Sequence, residues 1–139
     1  MISCRFCIFD DAVLQMPRIS LEPSEELQWL ELFISDCSFV EICDFVLHAV
    51  EHSLVNNHPW YYLLNEVALD YSPTTQMVSA SFLCGDLHTS SKMRGTDFLT
   101  IFREWRATID RAGRHRPFIP LGASELDYWE SQKKNQKSE

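Results

Sequence analysis

Residues 38–57, SFVEICDFVLHAVEHSLVNN, constrain the fold more than any other stretch of this chain. At the helical period of about 3.6 residues, Phe39, Ile42, Cys43, Val46, Ala49, Val50 and Ser53 fall on one side. Glu41, Asp44, His48, Glu51 and His52 fall on the other. The pattern predicts an amphipathic helix that must bury its apolar side against other elements. Ser38 or Asp36 is placed to cap its start, and the helix should stop near Asn56-Asn57, ahead of Pro59.

Two further helices follow from the same reasoning. Ser24 stands as an N-cap before Glu25 and Glu26, and Leu27, Leu30 and Phe33/Ile34 recur at helical spacing, predicting a helix over about 25–34. Thr96 caps DFLTIFREWRATIDRA, whose stripe is Phe98, Ile101, Phe102, Trp105, Ile109 and Ala112, and Gly113 closes it. Between the second and third helices the period changes to two. Val67, Leu69 and Tyr71 alternate with Ala68 and Asp70, Ser72–Thr75 is a turn, and Met77–Cys84 is extended again. This predicts a hairpin within 62–84, with a weaker third strand around 87–93. ISCRFCIF at 2–9 suits a short strand. DDAVLQMPRISLEP, punctuated by Pro17 and Pro23, reads as an edge strand or a loop.

The expected class is therefore α+β: a small antiparallel sheet containing the 62–84 hairpin, packed against about three amphipathic helices. Residues 1–120 would form one domain. Residues 121–139 would be an extension, with a short helix at SELDYWES and then a disordered tail. A chain of 139 residues with nine Phe, four Trp and four Tyr has material for one ordinary core.

No apolar run reaches the roughly 18 residues that suggest a membrane span, and the N-terminus lacks a secretory h-region. Five cysteines form an odd set with no regular framework, so a cytoplasmic protein with free thiols is expected. Net charge is −8, unevenly distributed. Residues 1–91 hold thirteen acids against Arg5 and Arg18, a net −11, while residues 92–139 hold ten bases against seven acids, a net +3. Such a chain repels phosphates, so direct nucleic-acid binding is not expected, and a basic protein partner is. The same charge also serves plain solubility.

His48-Ala49-Val50-Glu51-His52 fits the H-x-x-E-H pattern of a class of zinc peptidases. Two histidines four apart share a helical face, but a catalytic zinc needs a third ligand and a partly dry pocket. Glu66, Glu104 or Glu125 could be nominated, and no spacing singles one out. The stripe also points away from the apolar side, so a solvated acidic helix face is the stronger reading. Cys4-Arg5-Phe6-Cys7 has no second pair to complete a zinc ribbon, and on a strand its thiols fall on opposite faces. Buried, inert thiols are expected there. With four glycines there is no phosphate loop, and there is no G-x-S-x-G turn. Neither an enzyme nor a cofactor or metal is expected. Arg111, Arg114, His115 and Arg116 could meet an anion but read better as a solvated helix end. Trp60-Tyr61-Tyr62 is either a recognition patch or the opening of the first hairpin strand, filling the core.

Asn65–Tyr71, a short turn, Met77–Phe82 and then Thr96-Asp97-Phe98-Leu99-Thr100-Ile101-Phe102-Arg103-Glu104-Trp105 form a hairpin followed by a capped helix ending in Trp. This arrangement, over about residues 60–112, resembles the small immunity proteins of bacterial contact-dependent growth inhibition and related polymorphic toxin systems. The resemblance implies a stoichiometric inhibitor that binds a cognate toxin domain, often a basic nuclease, without catalytic residues. Two candidate contact surfaces follow from charge and exposure: Glu41, Asp44, His48, Glu51 and His52 on the helix, and the region of Glu66 and Asp70 at the hairpin. An acidic secretion chaperone, dimeric and with a long groove, is one alternative. A small zinc hydrolase using His48, Glu51 and His52 is the other.

Overall fold

The computed structural model describes residues 5–83 and 90–118. The elements run β1 (Arg5–Asp11), β2 (Met16–Glu22), α1 (Ser24–Asp36), α2 (Val40–Asn56), β3 (Trp60–Leu64), β4 (Val67–Ser72), β5 (Met77–Phe82), β6 (Ser91–Arg94) and α3 (Gly95–Arg111). The three helices and two antiparallel sheets form an α+β fold, as the periodicities predict.

β1 and β2 make a two-stranded sheet of their own. Its turn is built by Asp11, whose Oδ1 accepts from the N–H groups of Val13 and Leu14 at 2.9 and 3.0 Å while Gln15 takes a positive φ of 53°. Pro17 lies within β2 opposite Asp10, where its missing N–H faces away from the ladder. Of the ambiguous 10–23 segment, 10–11 end β1, 12–15 form the turn and Met16–Glu22 is the strand β2. The β2 edge is closed by α1: Ile19 N–H donates to Ser35 Oγ at 3.3 Å, and Leu21 N–H to Glu31 Oε2 at 3.0 Å.

The second sheet is a meander in the order β3-β4-β5-β6. The predicted hairpin is β4–β5, and β3 adds a strand ahead of it through the two-residue turn Asn65-Glu66, with φ of 48° and 71°. Positive φ at both positions is the type I′ turn that suits the twist of a hairpin. Tyr62, Val67, Leu69, Tyr71, Val78, Ala80 and Met93 are buried on the face toward the helices. On the other face the register sets Tyr61, Asp70, Ser79 and Lys92 side by side. The Trp60-Tyr61-Tyr62 stretch therefore alternates, with Tyr62 in the core and Tyr61 52% exposed. Gly95 joins β6 to α3 because an added Cβ would stand 3.1 Å from Leu54 Cδ2 and 3.3 Å from Tyr71 Cε2.

α1 packs on β2 and on the meander, and α2 lies against α3. The predicted stripe of α2 is buried apart from the half-buried Phe39, but Phe45 and Leu47 are buried as well. Phe45 packs edge-on to Trp60 and Tyr62 and against Phe118. In α3 the stripe Phe98, Ile101, Phe102, Trp105 and Ile109 is buried, and Ala112 is exposed. Each such large apolar side chain contributes about 1.5–3 kcal/mol of transfer free energy. Trp105 Nε1 donates to the Cys37 carbonyl at 2.8 Å, so its one polar atom is satisfied inside the core.

The helix starts differ from expectation. The N-cap residues are Pro23, Phe39 and Arg94, without side-chain capping bonds, so Ser24, Ser38, Asp36 and Thr96 do not cap. For α2 a tertiary contact does this work: Val40 N–H donates to the carbonyl of Arg114 at 3.0 Å. The predicted end of α3 holds. Gly113 at φ 68° donates to Asp110 O, and Arg114 N–H to Ile109 O, the paired bonds of a Schellman motif. Cys7 is exposed rather than buried, because β1 turns its odd-numbered residues away from the core. Cys4, the 87–89 part of the third strand, and the 121–139 extension lie outside the described residues.

Candidate functional site

The acidic side of α2 faces α3, and α3 answers it. Arg106 Nε lies 2.9 Å from Asp44 Oδ1, with its second nitrogen 3.4 Å from Oδ2. Arg103 bonds Glu51 at 3.1 Å. His115 Nδ1 lies 3.3 Å from Glu41, and Arg116 N–H donates to the same carboxylate oxygen at 2.8 Å. Arg106 and His115 also approach Asp110, at 3.6 and 3.5 Å. Arg103 and Arg106 thus pair with the acidic stripe across the α2–α3 interface. The stripe remains accessible, with the side chains of Asp44 and Glu51 44% and 43% exposed.

His48 is exposed and His52 half-buried along an open depression with Glu51, Val55 and Asn56. His52 Nδ1 lies 3.1 Å from Asn56 Nδ2, and its ring stacks on His58 at 6.3 Å. Among the described residues no three His, Cys, Asp or Glu side chains are grouped to hold a metal ion. Of the nominated third ligands, Glu66 sits on the β3–β4 turn, Glu104 faces β1 across a groove, and Glu125 lies outside the described residues.

Glu66 and Asp70 occupy a different surface. Glu66 is exposed at the turn, and its carbonyl accepts from Leu83 N–H at 2.8 Å. Asp70 is half-buried on the outer face of β4, and burial raises its carboxyl above the ordinary 3.8 while Lys92, two strands away, opposes the shift. Around them Tyr61, Leu63 and Leu83 are 52%, 40% and 57% exposed. The seven candidate residues therefore form two surfaces, and no hydrogen bond or ion pair among the described residues joins the two.

A cleft of about 510 Å³ was not anticipated. It lies between the α1–α2 corner, the β3–β4 turn and the segment after α3, with Asp36, Phe39, Asn65, Arg116 and Phe118 in its wall. Burial raises the Asp36 carboxyl, against the pull of Asn65 and Arg18. Arg114 and Arg116 lie over the Phe39 ring at 5.1 and 5.6 Å, and Arg114 Nε donates to Ser38 O at 2.8 Å. The Arg114–Arg116 stretch is thus a clamp holding the chain after α3 against the start of α2. The only signal in the sequence was its clustered charge.

No protein-family model, curated protein or solved structure matches this chain. No helix among the described residues is long and apolar enough to cross a membrane.

Proposed function

We propose that this chain is an immunity protein, a stoichiometric inhibitor that binds a basic toxin domain and covers the surface with which that domain meets its substrate. The observation that carries the reading is the charge: −8 overall, with −11 in the first 91 residues. An acidic surface of this kind competes with a phosphate backbone for a basic cleft and speeds encounter with it.

Of the two candidate surfaces, the outer face of the meander is the better contact. The α2 carboxylates already have cations from α3, so a partner would have to displace them. Glu66 and Asp70 take part in no ion pair within hydrogen-bonding distance among the described residues. They are flanked by Tyr61, Leu63 and Leu83, an apolar centre with an acidic rim. Glu66 also occupies a backbone region unfavourable for a residue with a Cβ, as residues kept for a contact often do.

The test pairs this protein with a basic domain encoded by a neighbouring reading frame, where one is found. Co-expression should rescue growth, and the purified proteins should form a one-to-one complex at nanomolar to micromolar concentrations. Tyr61→Ala and Glu66→Lys should each weaken that complex tenfold or more, whereas Asp44→Asn should leave it nearly unchanged. No complex with any such domain would remove the reading.

A further inference from the structure

We propose that two copies of this chain pair through the free edge of β1. Among the described residues the two-stranded sheet has one closed edge and one open one. β2 is closed by Ser35 and Glu31 of α1. Those bonds also fix the hydrogen-bonding phase of the hairpin. Ile19 and Leu21 point their N–H groups away from β1, so their partners Ile8 and Phe6 stand in non-hydrogen-bonded pairs, and so does Asp10 opposite Pro17. Phe6, Ile8 and Asp10 therefore direct their main-chain N–H and C=O groups outward. No main-chain partner meets them among the described residues. The same three residues line an open groove of about 350 Å³, with Glu104, Thr108 and Arg111 of α3 on its far side. An unprotected strand edge beside such a groove is a template for another strand.

A second copy fits because β1 is complementary to itself in one register. Ile8 is the midpoint of Arg5–Asp11. An antiparallel pairing about a two-fold axis at Ile8 sets Ile8 opposite its own copy and Phe6 opposite Asp10, so every outward N–H and C=O finds a partner. On the solvent face the same register sets Arg5 against Asp11 at both ends. Between them it covers the exposed Cys7 with the 45% exposed Phe9. Sliding by two residues in either direction keeps the main-chain phase but separates Arg5 from Asp11. Charge thus selects the central register. The groove carries both signs, Asp10 and Glu104 with Arg111, which suits a surface that meets its own copy.

This pairing uses the β1–β2 sheet, whereas the proposed toxin contact lies on the meander, so the two proposals fail independently. Sedimentation of the native chain at micromolar concentration should give about twice 16.2 kDa. Asp10→Pro removes an outward N–H without touching the β1–β2 ladder, and should halve the sedimenting mass with an unchanged circular dichroism spectrum. The register is tested by Phe9→Cys. With oxidised glutathione as oxidant, Cys7 of each copy should form a disulfide with the new cysteine of the other, giving a dimer on a non-reducing gel that Cys7→Ser abolishes. A native chain that stays monomeric into the high-micromolar range overturns the proposal. So does a dimer unaffected by a folded Asp10→Pro, or a cross-link that survives loss of Cys7. Should Asp10→Pro fail to fold, the Phe9→Cys cross-link decides alone.

Discussion

Arg106 and Asp44 meet at 2.9 Å across the α2–α3 interface, 62 residues apart in the chain, through two nitrogens and both carboxylate oxygens. The hydrogen bond to Asp44 is the chief influence raising the guanidinium above its ordinary value, and burial opposes it. Both side chains keep a third or more of their exposure, so water screens much of the attraction. A double-mutant cycle of Asp44→Asn and Arg106→Gln, followed by urea unfolding, should give a coupling of about 0.5–1 kcal/mol. In 1 M salt, where the screening length is about 3 Å, the coupling should largely vanish.

That pair also shows where the sequence is readable. The side of α2 carrying Asp44, Glu51 and His48 follows from helical phase alone, as do the buried stripes of α1 and α3. That the stripe would be met by Arg103, Arg106 and His115 depends on how α3 crosses α2, a long-range contact without a local signature. Turn chemistry was legible only where it used common residues. Asn65-Glu66 makes a type I′ turn without the usual glycine, which hid β3, and the β1–β2 turn rests on Asp11 and a left-handed Gln15. The caps failed for a related reason: Ser24, Ser38 and Thr96 had the right chemistry, but the chain enters α2 under the Arg114 carbonyl instead.

The cysteines should separate by reactivity. Cys43 is pushed up to about 12, first by burial and then by Asp44. Cys37, fully enclosed, is raised well above its ordinary value by burial, with Cys43 and Asp36 adding to it. Both stay protonated and inert at about pH 8, while exposed Cys7 is open to reagent. Ellman's reagent with peptide mapping should label Cys7 in the folded Asp10→Pro chain, where no pairing through β1 covers it. Cys37 and Cys43 should react only after urea unfolds it.

Trp105 ties α3 to the α1–α2 corner through its bond to Cys37 O, where the Cys43 thiol is a weaker second donor at 3.3 Å. Trp105→Phe keeps most of the apolar volume and removes the indole donor. Chemical unfolding should show a loss of about 1–3 kcal/mol. Trp105→Ala should cost more, because a cavity adds to the lost bond.

Asp70 sets a pH dependence of definite sign. Its carboxyl is raised above 3.8 in the folded state, chiefly by burial, so the folded protein holds this proton over a window in which the unfolded chain has released it. Its contribution to stability is fully present below about pH 3.8 and is lost as pH rises through the folded value. Asp70→Asn imitates the protonated form at every pH. Thermal midpoints should match the native protein in acid and exceed it at neutral pH. A mutant equally shifted at both ends would show that Asp70 acts through packing instead.

Glu66 offers the sharpest separation of stability from function. Its φ of 71° is one that a residue with a Cβ adopts at a cost, and glycine adopts freely. Glu66→Gly relieves that strain but gives the unfolded chain more freedom, so the net gain should be about 0.5–1 kcal/mol by urea unfolding. The same change removes an exposed carboxylate from the proposed contact surface beside Tyr61 and Leu63. A variant that is more stable yet binds its basic partner several-fold more weakly would mean that the glutamate is retained for contact. If Glu66→Gly gains stability and binds as tightly as the native chain, the glutamate serves no contact, and the proposed surface has to be sought elsewhere on the meander.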